Sequence, residues 1–181
     1  RVLAVNPHFV VTLAGGRALA DAQIDAELLV ANGMEYLVPI VQATVVLAAD
    51  DKLAIAQLKG IDPQLYSRVS DVGSFLTVNA RRTEPSVGAL EALEQDRFAI
   101  VVGATLAKRL GITVGDRVVV MLAEPKVSIA GPLIRQKRFE VIDVFDSGSQ
   151  LDGQGAFISL VNAQRLLQLG HSVNALDGRL L

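Results

Sequence analysis

Residues 98–122 read FAIVVGATLAKRLGITVGDRVVVML, and the change of pattern along them decides the fold class. Phe98 to Val102 is an apolar run of strand type, Ala104 to Leu110 has helical spacing, and Gly111 is the residue best able to end that helix in a left-handed turn. Val114-Gly115-Asp116 then predicts a tight turn, and Arg117 to Leu122, with Val118, Val119 and Val120 at its centre, predicts a strand. Many small β-rich folds need a short helix held between two strands in this way, so the segment alone points to no function.

Further strands are expected downstream at Arg138 to Phe145 and Ala156 to Ser159. Ser159 can cap a helix that turns Ala163, Leu166 and Leu167 inward and ends at Gly170, and Val173 to Leu181 closes the chain as a strand. Upstream, Phe9 to Leu13 predicts a strand, Gly15-Gly16 a turn, and Ala18 to Asn32 a helix with Ala20, Ile24, Leu28 and Ala31 on one face and Gly33 as its stop. Strands at Tyr36 to Leu47 and Lys52 to Lys59 flank Asp50-Asp51, so the opening predicts a small sheet with one helix on it. Gly60 to Leu93, punctuated by Pro63, Gly73, Pro85 and Gly88, predicts turns and short elements. A β-rich centre between mixed flanks gives an α+β fold with two lobes rather than an alternating α/β sheet.

A hydrophobic fraction of 51% over 181 residues is enough for a core, and a net charge of -2 argues against a broad nucleic-acid face. The absence of Cys excludes disulfides, thiolate nucleophiles and Cys-based metal sites. Tyr36 to Ala49 falls short of the roughly 20 residues that span a bilayer and contains Pro39, Gln42 and Thr44, which favours buried strand. Starting at Arg1 without a signal-like segment, the chain is expected to be a piece of a longer protein.

Signatures of chemistry are scarce. The sequence holds no P-loop string and no G-x-S-x-G elbow, and His8 and His171 stand far apart without metal-ligand spacing. Ser147 and Ser149 around Gly148 fit a turn, and Asp50-Asp51 and Glu91/Glu94 fit solvated charges. The expectation is therefore no enzyme, no cofactor and no metal.

The connection from Leu122 to Arg138 is more informative, because about fifteen residues is long for a hairpin link. Pro125, Gly131 and Pro132 bend it, while Val127, Ile129, Ala130, Leu133 and Ile134 put apolar side chains near its tip. Arg135-Gln136-Lys137-Arg138 place three cations at its exit, which would suit an acidic partner. Either the loop projects as an apolar contact site, or it folds back and buries its apolar residues.

The runs Gly103 to Leu122, Arg135 to Arg138, Phe139 to Phe145, Ser147 to Asp152, Ala156 to Leu160 and Asn162 to Leu167 resemble the periplasmic region of LolC/LolE lipoprotein-releasing permeases, relatives of MacB-type permeases. Asn6-Pro7-His8 and Lys59 to Pro63 are similar to the same family. The resemblance implies a MacB-like periplasmic core with a mixed α/β Porter lobe from residues 1–60 and 151–181 and a β-rich Sabre lobe from residues 61–150. Family members continue past the point matching Leu181, so an exposed sheet edge is expected there. Ala123 to Ile134 would be the hairpin Hook within the loop at 123–137, with Gln136 and Lys137 at Pad positions. The implied partner-binding set is Val127, Ile129, Ala130, Gly131, Pro132, Leu133, Ile134, Arg135, Gln136 and Lys137.

The resemblance further implies the periplasmic face of a bacterial inner membrane as location. Its implied partners are a LolA-type carrier, lipoprotein substrates, a cytoplasmic ATPase subunit and a second permease subunit, with no nucleic acid. Val119 stands where LolC-type chains carry a further Pad arginine, and Ser149-Gln150-Leu151-Asp152 looks more LolE-like, so a merged subunit type fits the pattern. The alternative is a MacB- or FtsX-type domain that couples ATP hydrolysis to efflux or to cell-wall hydrolase control.

Overall fold

Asp50 and Asp51 form the link that organises the barrel. Asp50 takes a φ of 50°, a conformation Asp tolerates better than most side chains, and so turns β2 (Met34–Ala49) back into β3 (Lys52–Ile61). The computed structural model describes residues 9–12, 33–72, 90, 93, 98–123, 126–129 and 131–180. Before this hairpin comes β1 (Phe9–Thr12). After it come α1 (Pro63–Tyr66), β4 (Ala99–Gly103), α2 (Ala104–Leu110), β5 (Arg117–Leu122), β6 (Lys126–Ser128), β7 (Gly131–Leu133) and β8 (Gln136–Phe145). A 3-10 turn (Gln150–Gly153), β9 (Gly155–Ser159), α3 (Leu160–Leu167) and β10 (Ala175–Leu180) complete the order.

The large sheet has eight strands in the order β1-β10-β2-β3-β9-β4-β8-β5, and a further β2–β5 pairing closes β2, β3, β9, β4, β8 and β5 into a ring. β2 is long enough to serve two structures at once. Its residues from Met34 to Ile40 pair with β10, and those from Val41 to Ala49 pair with β3. Inside the ring, alternate residues form one core: Val45 and Leu47 from β2, Leu58 from β3, Val118 and Val120 from β5, and Phe139 and Val141 from β8. Leu106 and Leu110 of α2 and Ala163 and Leu166 of α3 join it.

A second core lies on the opposite face of β4 and β9, where Tyr66, Val69 and Val72 meet Val101, Phe145 and Phe157. Its rings meet edge to face or tilted, with Phe145 and Phe157 centroids 5.6 Å apart and Tyr66 and Phe157 5.7 Å apart. β4 and β9 are buried along their whole length because both faces are covered. α3 lies so close to β3 that a Cβ at Gly60 would fall on the Ala163 methyl, which is why the strand carries glycine there.

The helix at Ala104 to Leu110 and the strand at Arg117 to Leu122 lie where the sequence places them. Gly111 at φ 69° donates its N–H to the carbonyls of Ala107 and Lys108. Four expectations are corrected. α3 stops at Leu167 rather than Gly170, because Gln168 itself adopts the left-handed cap with its N–H on Arg165 and Gln164. β2 and β3 do not make a small separate sheet but two staves of the ring. The final strand starts at Ala175, not Val173. β8 begins at Gln136, so Gln136, Lys137 and Arg138 are strand residues, held by pairing with Met121, Val120 and Val119. The helix expected over 18–32 and the Glu91/Glu94 pair lie outside the described residues.

Candidate functional site: a hairpin, an apolar face and the barrel mouth

β5 and β8 pair from Arg117↔Glu140 to Met121↔Gln136, and the ladder ends with the Leu122 N–H donating to the Arg135 carbonyl at 3.0 Å. The Ala123 N–H still donates to the Thr44 carbonyl of β2 at 3.2 Å, and beyond it the chain pairs with itself. β6 and β7 form a separate two-stranded sheet in the register Lys126↔Leu133, Val127↔Pro132 and Ser128↔Gly131. Gly131 sits at φ 111°, a conformation that favours glycine. Ile129, at the tip, is fully exposed, and Ile134, at the base, is 62% exposed. Val127, Pro132 and Leu133 are placed by their backbone register, while Glu124, Pro125 and Ala130 lie outside the described residues.

The cationic run does not form one patch. Because 136–138 are strand, neighbours point to opposite faces: Gln136 and Arg138 turn outward beside Met121 and Val119, while Lys137 turns to the inner side with Val120 and Phe139 beyond it. Arg135, Gln136 and Lys137 all reach the mouth of the barrel, a cleft of about 470 Å³ roofed by α3, and Arg138 does not. Lys137 Nζ lies 4.0 Å from the centroid of the Phe98 ring, which meets Phe139 edge-on at 5.7 Å. Arg135 Nη2 donates to Gln168 Oε1 at 2.5 Å, whereas its Nη1 is shielded from solvent without a hydrogen-bond partner.

Sequence reasoning missed the outer face. Ile55↔Val46↔Met121 and Leu53↔Ala48↔Val119 form two apolar rows across β3, β2 and β5, ending on Gln136 and Arg138 of β8. Leu53 and Ile55 are 65% and 66% exposed, while Ala54 and Ala56, which alternate with them, are buried. The signal was in the strand: small residues alternate with large ones, and the narrow interior takes the small set.

Other polar groupings are accounted for within the fold. In Ser147-Gly148-Ser149-Gln150-Leu151-Asp152 the buried Asp152 carboxylate accepts from the Ser147, Gly148 and Ser149 N–H groups and from Ser147 Oγ at 2.6 Å. This carboxylate holds the turn together. Asp177 is fully buried, takes an ion pair from Lys59 at 2.5 Å and accepts the Tyr66 hydroxyl at 3.1 Å, tying β10 to β3 and α1. Burial, reinforced by the Asp177 charge, pushes the Tyr66 hydroxyl well above its usual pKa, so it remains a donor. Among the described residues no group of three or more His, Cys, Asp or Glu could hold a metal; His171 is exposed in a turn and His8 lies outside them.

A strand-rich α+β domain of this form is shared with the extracellular domain of the noncanonic ABC-type transporter YknZ from Gram-positive bacteria, at a TM-score of 0.52 and 14% identity, covering 90% of this chain and 73% of that one. The likeness is one of fold: a strand-rich α+β domain. The chain belongs to the MacB-like periplasmic core domain family, which matches residues 1–180. It is 29% identical over 115 residues to the lipoprotein-releasing system transmembrane protein LolC of Xylella fastidiosa, covering 63% of this chain and 26% of that protein. To LolE of Haemophilus influenzae it is 23% identical over 171 residues, covering 92% and 39%. The chain spans between about a quarter and two fifths of these relatives' length. Among its described residues no helix is long and apolar enough to cross a membrane.

Proposed function

We propose that this chain is the periplasmic domain of an inner-membrane lipoprotein-releasing permease, acting without catalysis to pass lipoproteins to a LolA-type carrier. The observation that carries this is the β6–β7 hairpin, which leaves the barrel and presents a fully exposed Ile129. An exposed isoleucine on a short, glycine-turned hairpin loses contact with water when a partner covers it, and such apolar anchors supply most of the energy of an interface. The outer rows through Leu53, Ile55 and Met121 run to the hairpin's base and give the carrier a second apolar area, with Arg138 to orient it.

In this proposal Val127, Ile129, Ala130, Gly131, Pro132, Leu133 and Ile134 form the anchor and Arg135, Gln136 and Lys137 its base. ATP hydrolysis belongs to a cytoplasmic subunit, and a second permease subunit completes the transporter. The Porter-like range, 1–60 with 151–181, supplies β2, β3 and β9, and the Sabre-like range, 61–150, supplies β4, β5 and β8. Hydrogen bonds at the β9–β4 and β2–β5 seams join the two ranges into one ring, so the lobes of this proposal share a barrel rather than meeting at a hinge.

Carrier capture tests it. Immobilised wild-type chain is expected to retain a LolA-type carrier, and Ile129→Asp, which adds a charge at a fully exposed site, is expected to lower retention at least tenfold at unchanged thermal stability. Retention equal to wild type would remove the hairpin from the mechanism. Membership of the MacB-like family favours a second reading, a MacB- or FtsX-type domain serving efflux or hydrolase control. A fused nucleotide-binding domain in the full-length protein would select its MacB-type form.

A further inference from the structure

We propose that the mouth of the barrel binds a single-chain anionic amphiphile: one carboxylate or phosphate headgroup on one alkyl chain. This goes beyond carrier docking: the cleft lies behind the hairpin's base and shares Ile134, Arg135 and Lys137 with the proposed anchor, whereas the tip residue Ile129 takes no part in it. β-Barrel mouths are recurrent small-molecule sites, and a volume of about 470 Å³ lies in the range of such pockets. Phe98, Ile134 and Leu166 supply an apolar lining, and Arg135, Lys137 and Arg165 supply cations, with no acid among the described lining residues. On a chain of net charge -2, three cations around an apolar cleft are a local inversion of the overall charge.

Arg135 gives the site its specificity. One arm of its guanidinium is committed to Gln168, and the other, Nη1, is a shielded donor without a partner. An unmade bond of a charged donor is costly, and an anionic oxygen brought to it forms a charge-assisted hydrogen bond. Lys137, held over the Phe98 ring, sets a second positive charge beside the apolar wall. The headgroup then meets Arg135 and Lys137, and the alkyl chain covers Phe98, Ile134 and Leu166.

Isothermal titration of the 181-residue chain with dodecanoate, dodecyl phosphate and dodecanol below their aggregation limits, and with acetate and inorganic phosphate, tests this. Saturable 1:1 binding of at least one anionic amphiphile is expected, at least tenfold tighter than dodecanol; which one binds tighter separates a fatty-acid source from a phosphate headgroup. Arg135→Gln with Lys137→Gln is expected to weaken it at least tenfold. Ile134→Ser, at a largely exposed site that the fold tolerates, is expected to weaken it severalfold. Equal binding of dodecanol, equal binding of acetate or inorganic phosphate, no saturable binding, or an unaffected double variant would each overturn the site. None of these outcomes alters the Ile129→Asp capture result, so the two proposals fail separately.

Discussion

Replacing Asp152 by alanine removes the acceptor that holds the β8-to-β9 connection. Asp152 is only 3% exposed, and its carboxylate takes three backbone N–H groups and one hydroxyl: Ser147 N at 3.0 Å, Gly148 N at 2.7 Å, Ser149 N at 3.2 Å and Ser147 Oγ at 2.6 Å. Hydrogen bonds to a charged group are worth about 1.5–3 kcal/mol each, so four would sum far above any single-site loss normally seen. The sum must be discounted. Gly148 is exposed and Ser147 and Ser149 half-buried, so water can reach part of this turn once the carboxylate is gone. The expected loss is about 3–4 kcal/mol for Asp152→Ala. Asp152→Asn keeps one acceptor but sets an amide donor against N–H donors, and about 2 kcal/mol is expected. Urea unfolding followed by circular dichroism measures both, with an unchanged m-value showing that the same surface unfolds. A loss for alanine below about 1 kcal/mol at constant m would mean the turn stands without its carboxylate, and the account of this motif as structural would fail.

Two other perturbations follow from the packing. Gly60→Ala puts a methyl where the Ala163 methyl already sits, so α3 must lift from β3; a loss of about 3 kcal/mol or more is expected in the same unfolding assay, and a neutral result would mean the helix yields freely. Tyr66 has its pKa raised by burial, so an unfolded chain ionises this hydroxyl near pH 10 while the folded one does not. Its contribution to stability is therefore full below about pH 10 and is lost as pH rises from there through the folded value. In urea titrations between pH 8 and 11, Tyr66→Phe is expected to start less stable, having lost the bond to Asp177, and to decline less steeply; parallel declines would remove Tyr66 as the cause.

The elements and the site differ in how far their sequence announces them. Ala104 to Gly111 is readable because a helix of this kind needs only its own residues and a glycine able to adopt φ 69°. Gln136 and Lys137 mislead, since a glutamine and a cation look like loop until pairing with Met121 and Val120 makes them strand. β4 and β9 show no alternation because both their faces are buried, so periodicity cannot tell them from buried helix. β3 alternates, but Leu53 and Ile55 lie outside while Ala54 and Ala56 lie inside, the reverse of what side-chain size suggests. The mouth is the least legible feature, because Phe98, Arg135 and Arg165 meet only through strand pairing and the roof that α3 forms.

Unaided, the sequence determined the local chemistry: turns at Asp50 and Gly111, the Ser159 cap, the apolar composition of the 123–134 connection, and the lack of familiar catalytic motifs. Those properties depend on a few neighbouring residues and their backbone preferences. The tertiary structure decided that β2 meets β5 to close a ring, and with it which side of every strand faces inward. That choice divides Lys137 from Arg138, because in a strand a side chain's surroundings depend on its register against partners far away in the chain.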